Sequence, residues 1–238
     1  IYPIVAVLGI SAIAVAMVVV VLSLAYPNLP SLEILTDYRP KIPLRIYTAD
    51  GYLLGEFGEE RRAVVSIHEV PAIMKQAILA AEDERFYQHG GVDTMGVLRA
   101  LHANLLSGGK RQGASTITQQ VAKNFFLSSE KTYTRKFYEA LLSFKIEHNL
   151  SKDQIFELYI NQIFLGQRAY GFAAASQIYF GKPLTELTLA EAAMLAGLPK
   201  APSAYNPVVN PKRARIRQQY VLHRMRELGF ISDQQHEA

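Results

Sequence analysis

The sequence predicts a mostly α-helical domain behind an apolar N-terminal helix, with one short β segment between the two. Three observations carry that prediction. Residues 2–26 hold no charged side chain, and residues 4–25 are almost wholly Val, Ala, Ile, Leu and Met. Beyond residue 66, apolar residues recur at helical spacing, and Ser151/Gln154 and Thr188/Glu191 stand before apolar runs as capping boxes. Only around Asp50-Gly51, a hairpin turn signal, does the pattern become β-like, with flanking strands expected at 44–48 and 52–57.

Residues 1–26 are assigned to a transmembrane anchor. As a helix, the run 4–25 is about 33 Å long, close to the hydrocarbon thickness of a bilayer. A cleaved signal peptide is the alternative, since Ser23-Leu24-Ala25 loosely resembles a cleavage site, but the run exceeds the usual signal core. Arg39, Lys41 and Arg45 follow the span and, counted alone, place that side in the cytoplasm. Residues 27–65 read as a Pro-punctuated linker ending in the short β segment, and 66–238 as one helical domain. Pro71 suits a helix start, with Ser66 and Glu69 as caps of that region. Met74, Ile78 and Phe86 then form an apolar stripe, and Glu82 lies on it between Ile78 and Phe86. Residues 135–150 form a long amphipathic helix with Phe137, Leu141, Phe144 and His148 along one face. Glycines 166, 171 and 181 and the Pro/Gly-rich stretch 197–211 punctuate the remainder, and there is no internal repeat.

Composition removes several classes of chemistry. The 238 residues include no cysteine, so there is no disulfide framework, thiol nucleophile or thiolate metal site. The six histidines lack metal-ligand spacing, and His89 is better placed to fix the turn after the Glu82 helix. The balance of 25 Lys+Arg against 21 Asp+Glu is mildly basic but unevenly spread. Residues 104–145 hold seven cations against two acids, and residues 199–226 hold seven cations and no acid. The second run reads as an ordinary solvated face. The first surrounds "QGASTITQQVAKNFF", where Ser115, Thr116, Thr118, Gln119 and Gln120 lead into Lys123 and Asn124. Hydroxyls, amides and cations together are what a phosphate or diphosphate requires. No P-loop occurs, and no aromatics are interleaved as nucleic-acid binding would need.

The carboxylate at Glu82 has two readings. A helix end fraying into water is one; a catalytic acid or base held in a half-dry cleft is the other. The ordered motifs favour the second. "EDERFYQHGG" has the form E-D-x-x-F-x-x-H-x-G at Glu82, Asp83, Phe86, His89 and Gly91, with Arg85 inside it. "GASTITQQVAKN", "RKFYE", "KDQIFELYIN" and "AYGFAAASQIYFGK" follow in order. This resembles peptidoglycan glycosyltransferase family 51, the lipid II polymerases. The stretches "MLAGLPKAPSAYNPVVN" and "VLHRMRELGFIS" look like the bifunctional class A penicillin-binding proteins.

The resemblance implies a lysozyme-like α-helical domain with a small membrane-abutting lobe, held on the periplasmic or extracellular side of the cytoplasmic membrane by a single span. That orientation overrides the three basic residues after the anchor. It implies lipid II as acceptor, a lipid-linked glycan as donor and undecaprenyl pyrophosphate as leaving group, with other cell-wall synthesis proteins as partners and no nucleic acid. Glu82 is then the general base that takes the acceptor 4-hydroxyl proton, made more basic by Ile78, Phe86, Asp83 and Glu84. A diphosphate leaves without a general acid but needs positive charge and donors. By resemblance Lys123 and Lys131 face it, while Ser115, Gln119 and Gln120 line the cleft, with Asn124 and Arg85 as further binding groups. Arg135 and Lys136 belong with Glu139, the second acid, which orients those cations or a divalent ion (Mg2+ or Mn2+) assisting pyrophosphate departure. Two positions depart from the family pattern. Lys131 stands where Arg is more usual and lacks the bidentate fork, and Tyr138 stands where Lys is frequent.

"SGGK" at 107–110 and "SSEK" at 128–131 match the serine-acylation pattern S-x-x-K, but no K-T-G or S-x-N accompanies them, so no transpeptidase domain is expected in this chain. "YFGK" and "LAGLPKAPS" read as packing and loop-closing segments. Two other classes stay open: an anchored lysozyme-like hydrolase of the same glycan, and a non-catalytic cell-wall scaffold. The hydrolase needs a protonated acid at the leaving sugar and no cationic cradle, and the charge of 104–145 argues against it.

Overall fold

The computed structural model describes residues 23–37, 44–58, 60–107, 115–128, 130 and 132–237, with Gly9, Ala16, Met17 and Val20. Among them no helix is long and apolar enough to cross a membrane. The predicted span at 4–25 lies almost wholly outside the described residues, as do Lys131 and most of the "SGGK" stretch.

The fold is mostly helical. A single turn, α1 (Glu33–Thr36), precedes the hairpin of β1 (Leu44–Tyr47) and β2 (Leu53–Phe57). The hairpin is antiparallel, pairs Leu44 with Phe57 and turns where predicted, with Gly51 at φ +89°. Then come β3 (Arg61–Arg62), α2 (Ala72–Glu82), α3 (Thr94–Ser107), α4 (Ile117–Phe126), α5 (Tyr133–Asn149) and α6 (Lys152–Gln162). The chain closes with β4 (Ala169–Tyr170), α7 (Phe172–Phe180), α8 (Leu189–Gly197), α9 (Pro211–Glu227) and α10 (Asp233–Glu237). β3 and β4 pair in parallel, Arg61 with Ala169 and Arg62 with Tyr170.

Local chemistry sets the helix starts. Ser151 caps α6 and Thr188 caps α8, each answered by Gln154 or Glu191 three residues on, as the spacing predicts. A third capping box was not anticipated. Thr116 caps α4, and Gln119 returns its side-chain oxygen to the Thr116 N–H at 3.1 Å. Ser66 and Glu69 do not cap α2. They close a turn of their own (Ser66 N–H to Glu69 Oε2, 2.9 Å), and Pro71 occupies the N-cap.

α8 packs on both α2 and α9, and α4 packs on both α5 and α6. The shared core holds Met74, Ile78, Phe86, Ile117, Leu142, Phe156, Tyr159 and Phe172, all fully buried. Phe86 against Phe156, with ring centroids 5.6 Å apart, joins the two groups of helices. Two sequence expectations change here. The helical stripe from Met74 does not run on to Phe86: α2 ends at Glu82, and Phe86 begins a 3-10 turn, Phe86–Gln88. On α5 the face of Phe137 and Phe144 is outward, at 38% and 50% exposure, while Glu139, Leu142, Ser143 and Ile146 face the core with Leu141. The large aromatic side chains suggested the wrong face.

Residues after the hairpin are fastened to α6. The Asn161 side chain pairs with both backbone groups of Val65, accepting at 3.0 Å and donating at 2.9 Å. Gly171, at φ +86°, brings its backbone so near that a Cβ there would lie 2.8 Å from the Asn161 carbonyl oxygen.

Candidate active site

A cleft of about 560 Å³ opens where α2 ends, between α4, α5 and α9. Glu82, the last residue of α2, lies on its floor with its side chain 11% exposed. Gln120 of α4 donates to Glu82 Oε2 at 2.8 Å, and the Arg217 guanidinium of α9 stands 3.7 Å from Oε1. Burial pushes the Glu82 carboxyl above its ordinary value. Gln120, Arg217 and Lys200 oppose that shift and Asp83 adds to it. The result is a carboxylate more basic than a surface glutamate, as expected, but through burial first and the neighbouring acid only last.

Asp83 explains why the helix stops there. Its carboxylate accepts from the Ile117 N–H, at the start of α4, at 3.0 Å. His89 Nε2 holds the same carboxylate at 3.0 Å, so His89 fixes the turn as the sequence predicted. Thr116 donates to the Gly91 carbonyl, tying the turn to the same helix start. Gly91 is at φ +84°, and a Cβ there would lie 3.0 Å from the Ser143 backbone of α5. One compact knot thus fixes α2, α4 and α5 relative to one another.

From that start α4 carries Gln120 and Lys123 into the cleft. Gln119, expected beside them, is buried and spent on the capping box. Asn124 is exposed and outside the cleft lining, because it lies one position round the helix from Lys123. On α5, Glu139 is 3% exposed, receiving Arg135 at 2.9 Å and also Lys136. Lys136 reaches on to the Ser115 hydroxyl at 3.0 Å. The acid thus holds both cations at the wall. Arg85 does not line the cleft itself, but it pairs at 3.2 Å with Asp93, which does.

The sequence reading missed the opposite wall. Lys200, Arg217, Tyr220 and Arg224 line the cleft, although the sequence pattern of 199–226 suggests a solvated face and that of "LAGLPKAPS" a loop closure. Arg224 and Arg99 both pair with Glu84. A signal for Arg217 existed. It falls between Ala214 and Val221 on the buried stripe of α9, which also includes Met225. Among the described residues neither Lys123 nor Lys200 has a hydrogen-bond or ion-pair partner, so both present free donors to the cleft.

The expected divalent cation finds no ready cage. Among the described residues no three His, Asp or Glu side chains converge as metal ligands, and both Glu139 oxygens are engaged by cations. These donors do not fit a protein-held ion.

The cleft therefore presents one desolvated base facing a wall of cationic donors. A family model described as Transglycosylase matches residues 50–226. Penicillin-binding protein 1A of Neisseria cinerea is 61% identical over 229 residues, covering 96% of this chain and 29% of that protein. Penicillin-binding protein 1A of Pseudomonas aeruginosa is 51% identical over 212 residues, covering 89% of this chain and 26% of that protein. A crystal structure of Penicillin-Binding Protein 1A from Haemophilus influenzae is 34% identical, with a TM-score of 0.47, over 84% of this chain and 20% of its own. The chain spans less than a third of the length of these relatives.

Proposed function

This chain belongs to the transglycosylase family, and from that premise we propose that it polymerises lipid II into β-1,4 glycan strands. The observation that carries the proposal is the pairing of Glu82, desolvated and basic, with Lys123, Lys136 and Ser115 across one cleft. Glu82 takes the proton of the acceptor 4-hydroxyl as that oxygen attacks the donor's anomeric carbon. The bond to the diphosphate breaks on the opposite face, inverting an α-linked donor to a β-linked product. Charge accumulating on the departing diphosphate is met by cations already in place. Lys123 is free to turn to it, while Glu139 holds Arg135 and Lys136 against the wall so that little reorganisation is needed. A divalent cation arriving with the substrate would add positive charge at the departing diphosphate, and no step here depends on it.

The same geometry disfavours a hydrolase. A lysozyme-type reaction needs one carboxyl group protonated at the leaving sugar. Glu139 has both oxygens taken up by Arg135 and Lys136 at the cleft wall, which leaves Glu82 for that work. We further propose that residues 4–25 anchor the domain in the cytoplasmic membrane, with the cleft on the periplasmic or extracellular side. Both substrates are lipid-linked in that bilayer, and tethering raises their effective concentration at the site.

Product length separates the readings. Given lipid II in detergent or lipid, the chain lengthens glycan and Glu82→Gln does not; given preformed glycan, neither shortens it. Shortening of preformed glycan by the parent would make the chain a hydrolase.

A further inference from the structure

Arg217 is placed as few surface arginines are. It is 6% exposed within a helix whose neighbouring Lys212, Arg213 and Arg215 are exposed. Its guanidinium donates to the Ala81 carbonyl at the end of α2 (3.3 Å) and, through Nε, to the Gly197 carbonyl at the end of α8 (3.4 Å). It also lies over the Tyr220 ring, 4.5 Å from the centroid. Its stem fits because residue 197 is glycine: a Cβ there would come within 2.8 Å of Arg217 Cγ. Two helix C-termini, an aromatic face and a glycine slot thus aim one permanently charged fork at Glu82 Oε1, 3.7 Å away.

We propose that Arg217 is a positioning residue for the reaction, holding the Glu82 carboxylate ionised and oriented so that it meets the acceptor hydroxyl as a base. This rests on the reading of Glu82 given above. Other groups among the described residues bear on Glu82. Gln120 of α4 donates without titrating, and Asp83 follows in the chain with its carboxylate committed to His89 and Ile117. Tyr159 of α6 is fully buried and its hydroxyl is driven further from ionising by Glu82 itself. Lys200, after α8, favours the ionised form from an exposed position, and Tyr220 serves as the shelf for Arg217. Among the cations of the described residues, only Arg217 is both buried and held by fixed partners beside the carboxylate. Without it, burial would be opposed less and the base would spend more of its time protonated.

The pH profile of kcat/KM for lipid II polymerisation tests this, since its acid limb reports the base in the free enzyme. The substrate's diphosphate diester does not titrate in that range. Arg217→Gln moves the acid limb to higher pH, so its loss relative to the parent is at least about tenfold on the acid side and shrinks as pH rises. Arg217→Lys keeps the charge and restores most of the acid side. A loss equal at every pH, with the limb unmoved, overturns the proposal and leaves Arg217 a structural tie. If Arg217→Gln is not recovered folded, Gly197→Ala displaces the stem without removing a charge, and the limb must again move up; an unmoved limb overturns the proposal. Glu82→Gln is run in parallel. Full activity there refutes the base itself, whereas an inactive Glu82→Gln with an unmoved Arg217→Gln limb refutes only the role of Arg217.

Discussion

At the scale of the residue, Glu82 illustrates a conflict between stability and chemistry. Burial raises its pKa, so the folded state favours the protonated carboxyl. The associated stability is complete below the unfolded-state value and is lost as pH rises through the higher folded-state value. Glu82→Gln escapes that loss. Its melting temperature should exceed the parent's at neutral pH, and the gap should close as pH falls below the ordinary glutamate value of about 4.3. A variant no more stable than the parent at neutral pH would show that burial does not penalise the charge. The sequence made this residue legible because a carboxylate on an apolar stripe is conspicuous. Arg217 follows the same rule, a charge between Ala214 and Val221 on a buried stripe, yet was hidden among five other cations of α9. Gln119 erred in the other direction. Its amide looked like a ligand for phosphate, and capping the helix claimed it first.

At the scale of the element, the start of α4 organises the cleft. Thr116 accepts from the Gln119 N–H and donates to Gly91, Asp83 accepts from the Ile117 N–H, and the next turn presents Gln120 and Lys123. Thr116→Ala removes the cap and leaves a buried carbonyl unpaired, and should cost about 1–3 kcal/mol in denaturant unfolding. Turnover should fall as well, since the same turn aims both cleft residues; unchanged stability would mean that Asp83 alone fixes the helix. Capping boxes at Ser151 and Thr188 were readable because the two partners are three residues apart. The end of α2 was not, because the interaction that stops it joins Asp83 to Ile117, 34 residues away. The face of α5 was misread for a related reason. Its buried stripe carries a glutamate and a serine, and only tertiary partners reveal that polar residues belong inside.

At the scale of the whole molecule, the cleft is assembled from segments that the chain separates widely. Residues 82–139 supply the base and one cationic wall, and residues 199–224 supply the other. Ordered motifs exposed the first wall, while the second came from a basic run with no acid, whose inward and outward cations differ only in their helical phase. With no cage of three His, Asp or Glu side chains among the described residues, a chelator should slow turnover if the cation rides on the diphosphate, yet leave the melting temperature unchanged; a drop in melting temperature would place the ion within the fold. The central claim is a division of labour, with Glu82 acting on the acceptor and the cations on the diphosphate. The direct measurement is the rate of polymer formation together with the affinity for a lipid-diphosphate glycan analogue, on folded Glu82→Gln and Lys123→Ala. Glu82→Gln should lose about 10²–10⁴-fold in rate while binding the analogue as the parent does. Lys123→Ala should lose about 10–150-fold in rate, matching the loss of one charge-assisted hydrogen bond to the leaving group, and bind the analogue more weakly. Parental synthesis by Glu82→Gln, or analogue binding lost as completely as turnover, would contradict that division.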